Sequence, residues 1–291
     1  MLNKSMILKD KNKKVVRSGH LRKDIVKANH YNNQARQLLY TQSDIEELRK
    51  ARVPISTKSI YLQLLKTDLM TERRGKPRIY HRLKTLGEIV KSAKRLQELR
   101  LLSTLNFKLT DELLFLLRKV LDKALHLQTL HLAFCSMAQI TEVGLANICK
   151  SLGRLTLLRN LSLCLMNCPE RKILRRVSKS LERLGGLRDV NLSFSECNKV
   201  DDGDMSSVGK AFKRLRFLRE IRLEFSRCKK ITDKRLENLS GQLIGLSSLK
   251  RITLNFYDCQ EITEEGRTAL KKSIKKLRGL EKVVLDYFLI E

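Results

Sequence analysis

Residues 249–264 read Leu249-Lys250-Arg251-Ile252-Thr253-Leu254-Asn255-Phe256-Tyr257-Asp258-Cys259-Gln260-Glu261-Ile262-Thr263-Glu264, and two periodicities meet at their end. Ile252, Leu254 and Phe256 alternate with other residues, the mark of a short strand with one face buried. Beyond Glu264 the apolar residues return at helical spacing, as Leu270, Ile274 and Leu277. A change of period from two to about 3.6 predicts one strand followed by one helix. The preceding stretch repeats the pattern with Ile221, Leu223, Phe225, Cys228 and Ile231-Thr232-Asp233, then Leu236, Leu239, Leu243 and Leu246.

The strand signature L-x-x-[LIV]-x-L begins at Leu96, Leu127, Leu158, Leu187, Leu218, Leu249 and Leu280, at spacings of 31, 31, 29, 31, 31 and 31 residues. So regular an interval predicts a solenoid. Helix starts carry their own chemistry. Thr110, Thr141, Asp201, Thr232 and Thr263 share one repeat position, where a side-chain oxygen caps free amides. Each is followed by an acid, Asp111, Glu142, Asp202, Asp233 and Glu264, which suits the positive end of the helix dipole. The 29-residue unit has Pro169-Glu170 instead, and proline is tolerated in a first helical turn. Strands pack about 4.8 Å apart and helices about 8–10 Å, so strands line an inner, concave wall and helices an outer one. The expected architecture is an α/β horseshoe with a parallel inner sheet. Its domains are a basic segment 1–64 and a solenoid 65–291, with a degenerate first unit over 65–95 built on Leu83, Leu86, Val90 and Ala93.

The pattern L-x-x-L-x-L-x-F-x-x-C-x-x-I-T-[DE] resembles leucine-rich repeats. It is most similar to the cysteine-containing and ribonuclease-inhibitor-like classes, in a 31-residue form like that of many protist proteins. The resemblance covers about residues 65–291 and is specific for fold, not for function. It implies that Cys168, Cys197, Cys228 and Cys259, which share one repeat position, form a buried structural ladder.

The residues that bear chemistry do not assemble into catalytic motifs. Cys135, Cys149 and Cys164 lie off the ladder, no C-x-x-C occurs, and a reducing intracellular compartment follows. His20, His30, His81, His126 and His131 have no metal-ligand spacing. Gly203 to Lys210 imitates a phosphate loop, but the glycines are one residue too far apart, and the segment falls in a repeat helix. No nucleophile elbow is present. No enzyme activity, metal or cofactor is expected. The chain begins without an apolar signal core and has no apolar run long enough for a membrane span, so cytoplasm or nucleus is favoured over mitochondrion.

What remains is surface. With Lys and Arg at 60 and Asp and Glu at 31, the net charge is +29, which attracts polyanions or an acidic protein face. Basic pairs near the helix ends, Lys119/Lys123, Lys150/Arg154, Lys179/Arg183, Lys210/Arg214 and Lys272/Lys276, predict a stripe along the outer wall, interrupted by Gly241/Gly245. The helix dipole explains one cation per helix more readily than two in register. On the concave wall, Arg100, His131, Asn191, Arg222, Glu224, Asn255 and Tyr257 are the candidate contacts. Residues 1–43 carry ten Lys/Arg against Asp10 and Asp24, and Ser43-x-x-Glu46 reads as a capping box. The last strand, Val283 to Ile290, has no helix after it and leaves an apolar edge that a partner or a second copy would cover.

These features point to a non-catalytic protein-interaction scaffold. One alternative is a ribonucleoprotein component that holds phosphates with the stripe. The resemblance implies another, the substrate-recognition subunit of a ubiquitin ligase.

Overall fold

The computed structural model describes residues 58–64, 77–103, 107, 109–170, 172–277 and 279–286, with the backbone of three short strands nearer the N-terminus. The chain divides into two compact units, Met1–Arg36 and Gln37–Glu291. In the first, β1 (Leu8–Lys9) pairs antiparallel with β2 (Val15–Val16). The Ser43–Glu46 capping box lies outside the described residues.

The second unit alternates strand and helix. After β3 (Leu39–Tyr40) come β4 (Ser59–Leu64), α1 (Arg78–Ser92), β5 (Glu98–Ser103), α2 (Asp111–Leu121), β6 (Thr129–Phe134) and α3 (Glu142–Leu152). Then follow β7 (Asn160–Leu165), α4 (Ile173–Leu181), β8 (Asp189–Ser193), α5 (Asp202–Phe212), β9 (Glu220–Glu224), α6 (Asp233–Leu243), β10 (Arg251–Asn255), α7 (Glu264–Ile274) and β11 (Lys282–Asp286). Strands β3 to β11 form one nine-stranded sheet in sequence order, parallel throughout. Pairing advances one repeat at a time: Leu161 lies beside Val190, Val190 beside Ile221, and Ile221 beside Ile252. The architecture is a leucine-rich-repeat solenoid.

Alternate strand residues and one stripe of each helix fill a continuous core between sheet and helices. Phe194, Phe225 and Phe256 stack through it, with ring centroids 6.0 and 5.9 Å apart. Cys168, Cys197, Cys228 and Cys259 are buried behind them as free thiols. Cys197, Cys228 and Cys259 each donate to a strand-end carbonyl of the preceding unit, Leu165, Phe194 and Phe225, at 3.3, 3.2 and 3.1 Å. A thiol suits this corner because it packs as a small hydrophobe while donating to a carbonyl at the end of the strand.

The five expected caps all stand at the N-cap position, and three of them have the expected chemistry. Thr110, Thr141 and Asp201 accept from first-turn amides, and Asp201 closes a full capping box with Asp204. Thr232 and Thr263 make no side-chain cap. Their hydroxyls donate instead to the preceding unit, to Asp202 at 2.8 Å and Asp233 at 2.7 Å, while their backbone N–H groups bond the second carboxylate oxygen at 3.1 and 2.9 Å. Asp111 holds Thr141 in the same way. The acid after the cap therefore does more than meet the helix dipole: Asp111, Asp202 and Asp233 clasp adjacent repeats together.

Two expectations need correction. The degenerate first unit begins before residue 65: Ser59–Leu64 pairs with Glu98–Ser103, so its strand lies inside the segment assigned to the basic arm. The longer insert before α1 removes the fixed spacing that the count relied on. Pro169 is not in a helical turn, because α4 starts at the fully buried Ile173, after Lys172 in a left-handed conformation (φ 65°). In the C-terminal strand, β11 covers Lys282–Asp286, and residues 287–290 lie outside the described ones.

Candidate functional site

The sheet has one face against the helices and one open. Because side chains alternate, the open face carries rows running across the strands, one residue per repeat. In the central row Arg100 lies beside His131, followed by Ser162, Asn191, Arg222 and Thr253. The next row runs from Leu102 through Ala133, Cys164, Ser193 and Glu224 to Asn255. Arg100, His131, Asn191, Arg222, Glu224 and Asn255 stand on this face and are half-buried, while Tyr257, also half-buried, lies in the turn after β10.

A third row was missed. The strands begin two residues before the positions counted from the leucines, and this places Glu98, Thr129, Asn160, Asp189, Glu220 and Arg251 side by side. Extending the alternation by one more step would have found them. They organise the charge of the face. Glu98 accepts from Arg100 Nε at 2.6 Å and from Ser59 Oγ at 2.9 Å. Glu220 accepts from Arg222 and, at 2.6 Å, from Arg251. Burial raises the Glu220 carboxyl, but Arg251 and Arg222 outweigh it and hold it below the usual range. Asp189 is raised, by burial first and by Glu220 second.

The wall thus has two charged shoulders, Glu98/Arg100 and Glu220/Arg222/Arg251. Between them lies a floor of small or uncharged residues on β6 and β7, such as Ala133, Ser162 and Cys164. His131 on that floor is pushed down to about 4 by burial and by Arg100, against the pull of Glu98, so it is neutral at pH 7. Asn191 Nδ2 donates to Ser162 Oγ at 3.2 Å. Ser195 donates to Glu224, and Asn255 accepts from Ser226 and from the Tyr257 amide.

The ten stripe residues, Lys119, Lys123, Lys150, Arg154, Lys179, Arg183, Lys210, Arg214, Lys272 and Lys276, are all exposed. Three pair with an acid of the preceding unit: Lys123 with Glu88 at 2.9 Å, Arg154 with Asp122 at 3.1 Å and Arg214 with Glu182 at 3.6 Å. Lys119 sits over the Phe115 ring at 4.5 Å. Lys150, Lys179, Arg183, Lys210, Lys272 and Lys276 make no ion pair among the described residues.

The thiols are poor nucleophiles. Burial pushes Cys149 and Cys197 up to about 12 and Cys168 to about 11, and raises Cys228 and Cys259 as well. Among the described residues no group of three or more His, Cys, Asp or Glu is placed to hold a metal ion, and no helix is long and apolar enough to cross a membrane.

No family model matches the chain, and no curated protein matches it. Solved structures similar to it include the tropomodulin C-terminal domain of Caenorhabditis elegans, at 16% identity and TM-score 0.41, over 60% of this chain and 92% of that one. A Bacteroides fragilis protein is similar at 13% identity and TM-score 0.48, over 87% and 76%. The leucine-rich repeat-containing protein LegL7 of Legionella pneumophila is similar at 12% identity and TM-score 0.36, over 83% and 86%. Likeness at this level adds no argument to the fold, which stands on the repeat registers themselves.

Proposed function

We propose that the chain is a non-catalytic scaffold that receives a protein partner on the open face of its sheet. The observation that carries this reading is the charge of that face. In a molecule of net charge +29, the open wall gathers Glu98, Asp189, Glu220 and Glu224 among Arg100, Arg222 and Arg251. Such a nearly neutral wall offers a phosphate backbone little net attraction and suits a protein surface of mixed charge, with the uncharged floor receiving an apolar or small polar segment. The buried ladder of Cys168, Cys197, Cys228 and Cys259 also supports placing the repeats in the cysteine-containing class.

The test is affinity purification of the full chain and of a Glu220→Arg/Arg222→Glu variant, read by mass spectrometry. Proteins retained by the native chain should be lost from the variant, and should survive a Lys210→Glu/Arg214→Glu change on the outer stripe. If both variants retain the same proteins as the native chain, the open face is not the binding site.

A further inference from the structure

The cations belong to a larger feature than the outer stripe. Six ten-residue windows run from the last helical turns through the loop up to the next strand: 119–128, 150–159, 179–188, 210–219, 241–250 and 272–281. Together they hold 18 Lys/Arg and 3 Asp/Glu. The corresponding windows at the opposite edge, 104–113, 135–144, 166–175, 195–204, 226–235 and 257–266, hold 10 Lys/Arg and 13 Asp/Glu. The solenoid therefore has one strongly basic edge and one nearly balanced edge. The helix dipole accounts for part of this, but its influence ends with the last turn. Arg159, Arg188, Arg219 and Lys250 follow the helix ends, at the entry to each strand.

A second observation falls on the same edge. Eight large apolar side chains are exposed among the described residues, and four of them, Leu125, Leu157, Phe217 and Ile244, lie inside the basic windows at 39, 53, 64 and 57% exposure. No dipole argument asks for them. Leu157 stands between Arg154 and Arg159, and Phe217 between Arg216 and Arg219. Apolar tips set among cations are the composition that enters the headgroup region of an anionic leaflet.

We propose that this helix-to-strand edge docks the solenoid on an anionic lipid bilayer, with Leu125, Leu157, Phe217 and Ile244 inserted among headgroups that the flanking Lys and Arg attract. The chemistry favours lipid over two other polyanions. Three of the four tips are aliphatic and offer no ring on which a nucleic-acid base stacks. They are also dispersed, one in each of four repeats, whereas a protein site concentrates its anchors near one centre. A fluid leaflet accepts dispersed tips wherever they fall. Docking by this edge leaves the open sheet face accessible, so the inference is independent of the scaffold reading.

Vesicle flotation with the full chain tests it. Vesicles of phosphatidylcholine with roughly one-third phosphatidylserine should bind the chain, and pure phosphatidylcholine should not. A Leu157→Gln/Phe217→Gln variant should lose at least about tenfold in vesicle affinity while its binding to a generic RNA is unchanged. Val143→Gln, which alters a side chain 67% exposed away from the basic windows, should bind vesicles as the native chain does. Gly241→Lys/Gly245→Arg, at the one gap in the stripe, should strengthen binding to the anionic vesicles, because neither glycine has a neighbour in the way of a side chain. Two outcomes overturn the inference. One is equal binding to both vesicle types. The other is an apolar-tip variant that floats as well as the native chain with unaltered circular dichroism; the edge would then be a general polyanion surface, and RNA or an acidic protein its ligand.

Discussion

Gly144 and Gly241 both lie within helices, where alanine is ordinarily preferred by about 1 kcal/mol. Their replacement should nevertheless have opposite signs. A Cβ on Gly144 would run into the Asp111 carboxylate, the group that clasps Thr141, whereas a Cβ on Gly241 meets nothing within 4 Å. Gly144→Ala should lower stability by about 1–2 kcal/mol through loss of the clasp, and Gly241→Ala should raise it by about 0.5–1 kcal/mol. Urea denaturation separates the two, and a gain at both positions would mean that the clasp contributes nothing. His131 makes a second residue-scale prediction. Its folded pKa is depressed to about 4 from the ordinary 6.5, by burial and by Arg100. Between those values the unfolded chain holds the extra proton, so stability falls as pH drops through that window. His131→Gln should remove that part of the slope, on the order of 2 kcal/mol between pH 7 and pH 4, when denaturation is followed across pH. Neither effect is legible in sequence. The Thr141-Glu142-Val143-Gly144 run announces a helix start, but the carboxylate that demands the glycine is in the preceding repeat.

Among the elements, α4 is the one that the repeat does not support. Its unit is 29 residues long, it lacks a side-chain cap, and it starts from a left-handed Lys172. Its tie to the next helix is ionic: Arg175 reaches Asp204 at 3.0 Å and Asp201 at 3.3 Å. Asp204 is almost fully buried, and burial raises its carboxyl against the pull of the Asp201 amide and of Arg175. Removing Arg175 would leave the buried Asp204 carboxylate without its counter-charge, a loss of about 1–2 kcal/mol, less than for a fully buried pair because Arg175 is 41% exposed and the Asp201 amide still donates to Asp204. Arg175→Met should therefore be destabilising. Arg175→Met combined with Asp204→Asn should cost less than the sum of the two single changes, and a double-mutant cycle by thermal denaturation reads the difference. Additive losses would show that the pair is not coupled. The strands and helices were legible because Leu, Ile and Phe must recur wherever a repeat meets the core. The α4 linkage was not, because Arg175 and Asp204 are 29 residues apart and look like ordinary surface charge. For the same reason the Glu98–Asp189–Glu220 row escaped a reading that counted only from leucines: its meaning lies in lateral register, which no single repeat contains.

In the whole molecule each repeat touches only its neighbours, so stability propagates along one dimension. The stacked rings show what such coupling transmits. Phe225 lies between Phe194 and Phe256, at 6.0 and 5.9 Å, and all three are buried. Phe225→Ala should cost about 3–5 kcal/mol. In a globular core that loss would be shared throughout; in a solenoid it should be local. Native-state hydrogen exchange distinguishes the two. In the native chain, amides of β11 should exchange first, since among the described residues β10 is its single strand partner and Val283 on its core side is 44% exposed. In the Phe225→Ala variant, exchange should quicken in β8, β9 and β10, while β5 and β6 keep most of their protection because intact repeats separate them from the cavity. Uniform acceleration across all strands would mean that the sheet opens as one cooperative body, and the repeats would then be units of sequence and geometry but not of stability.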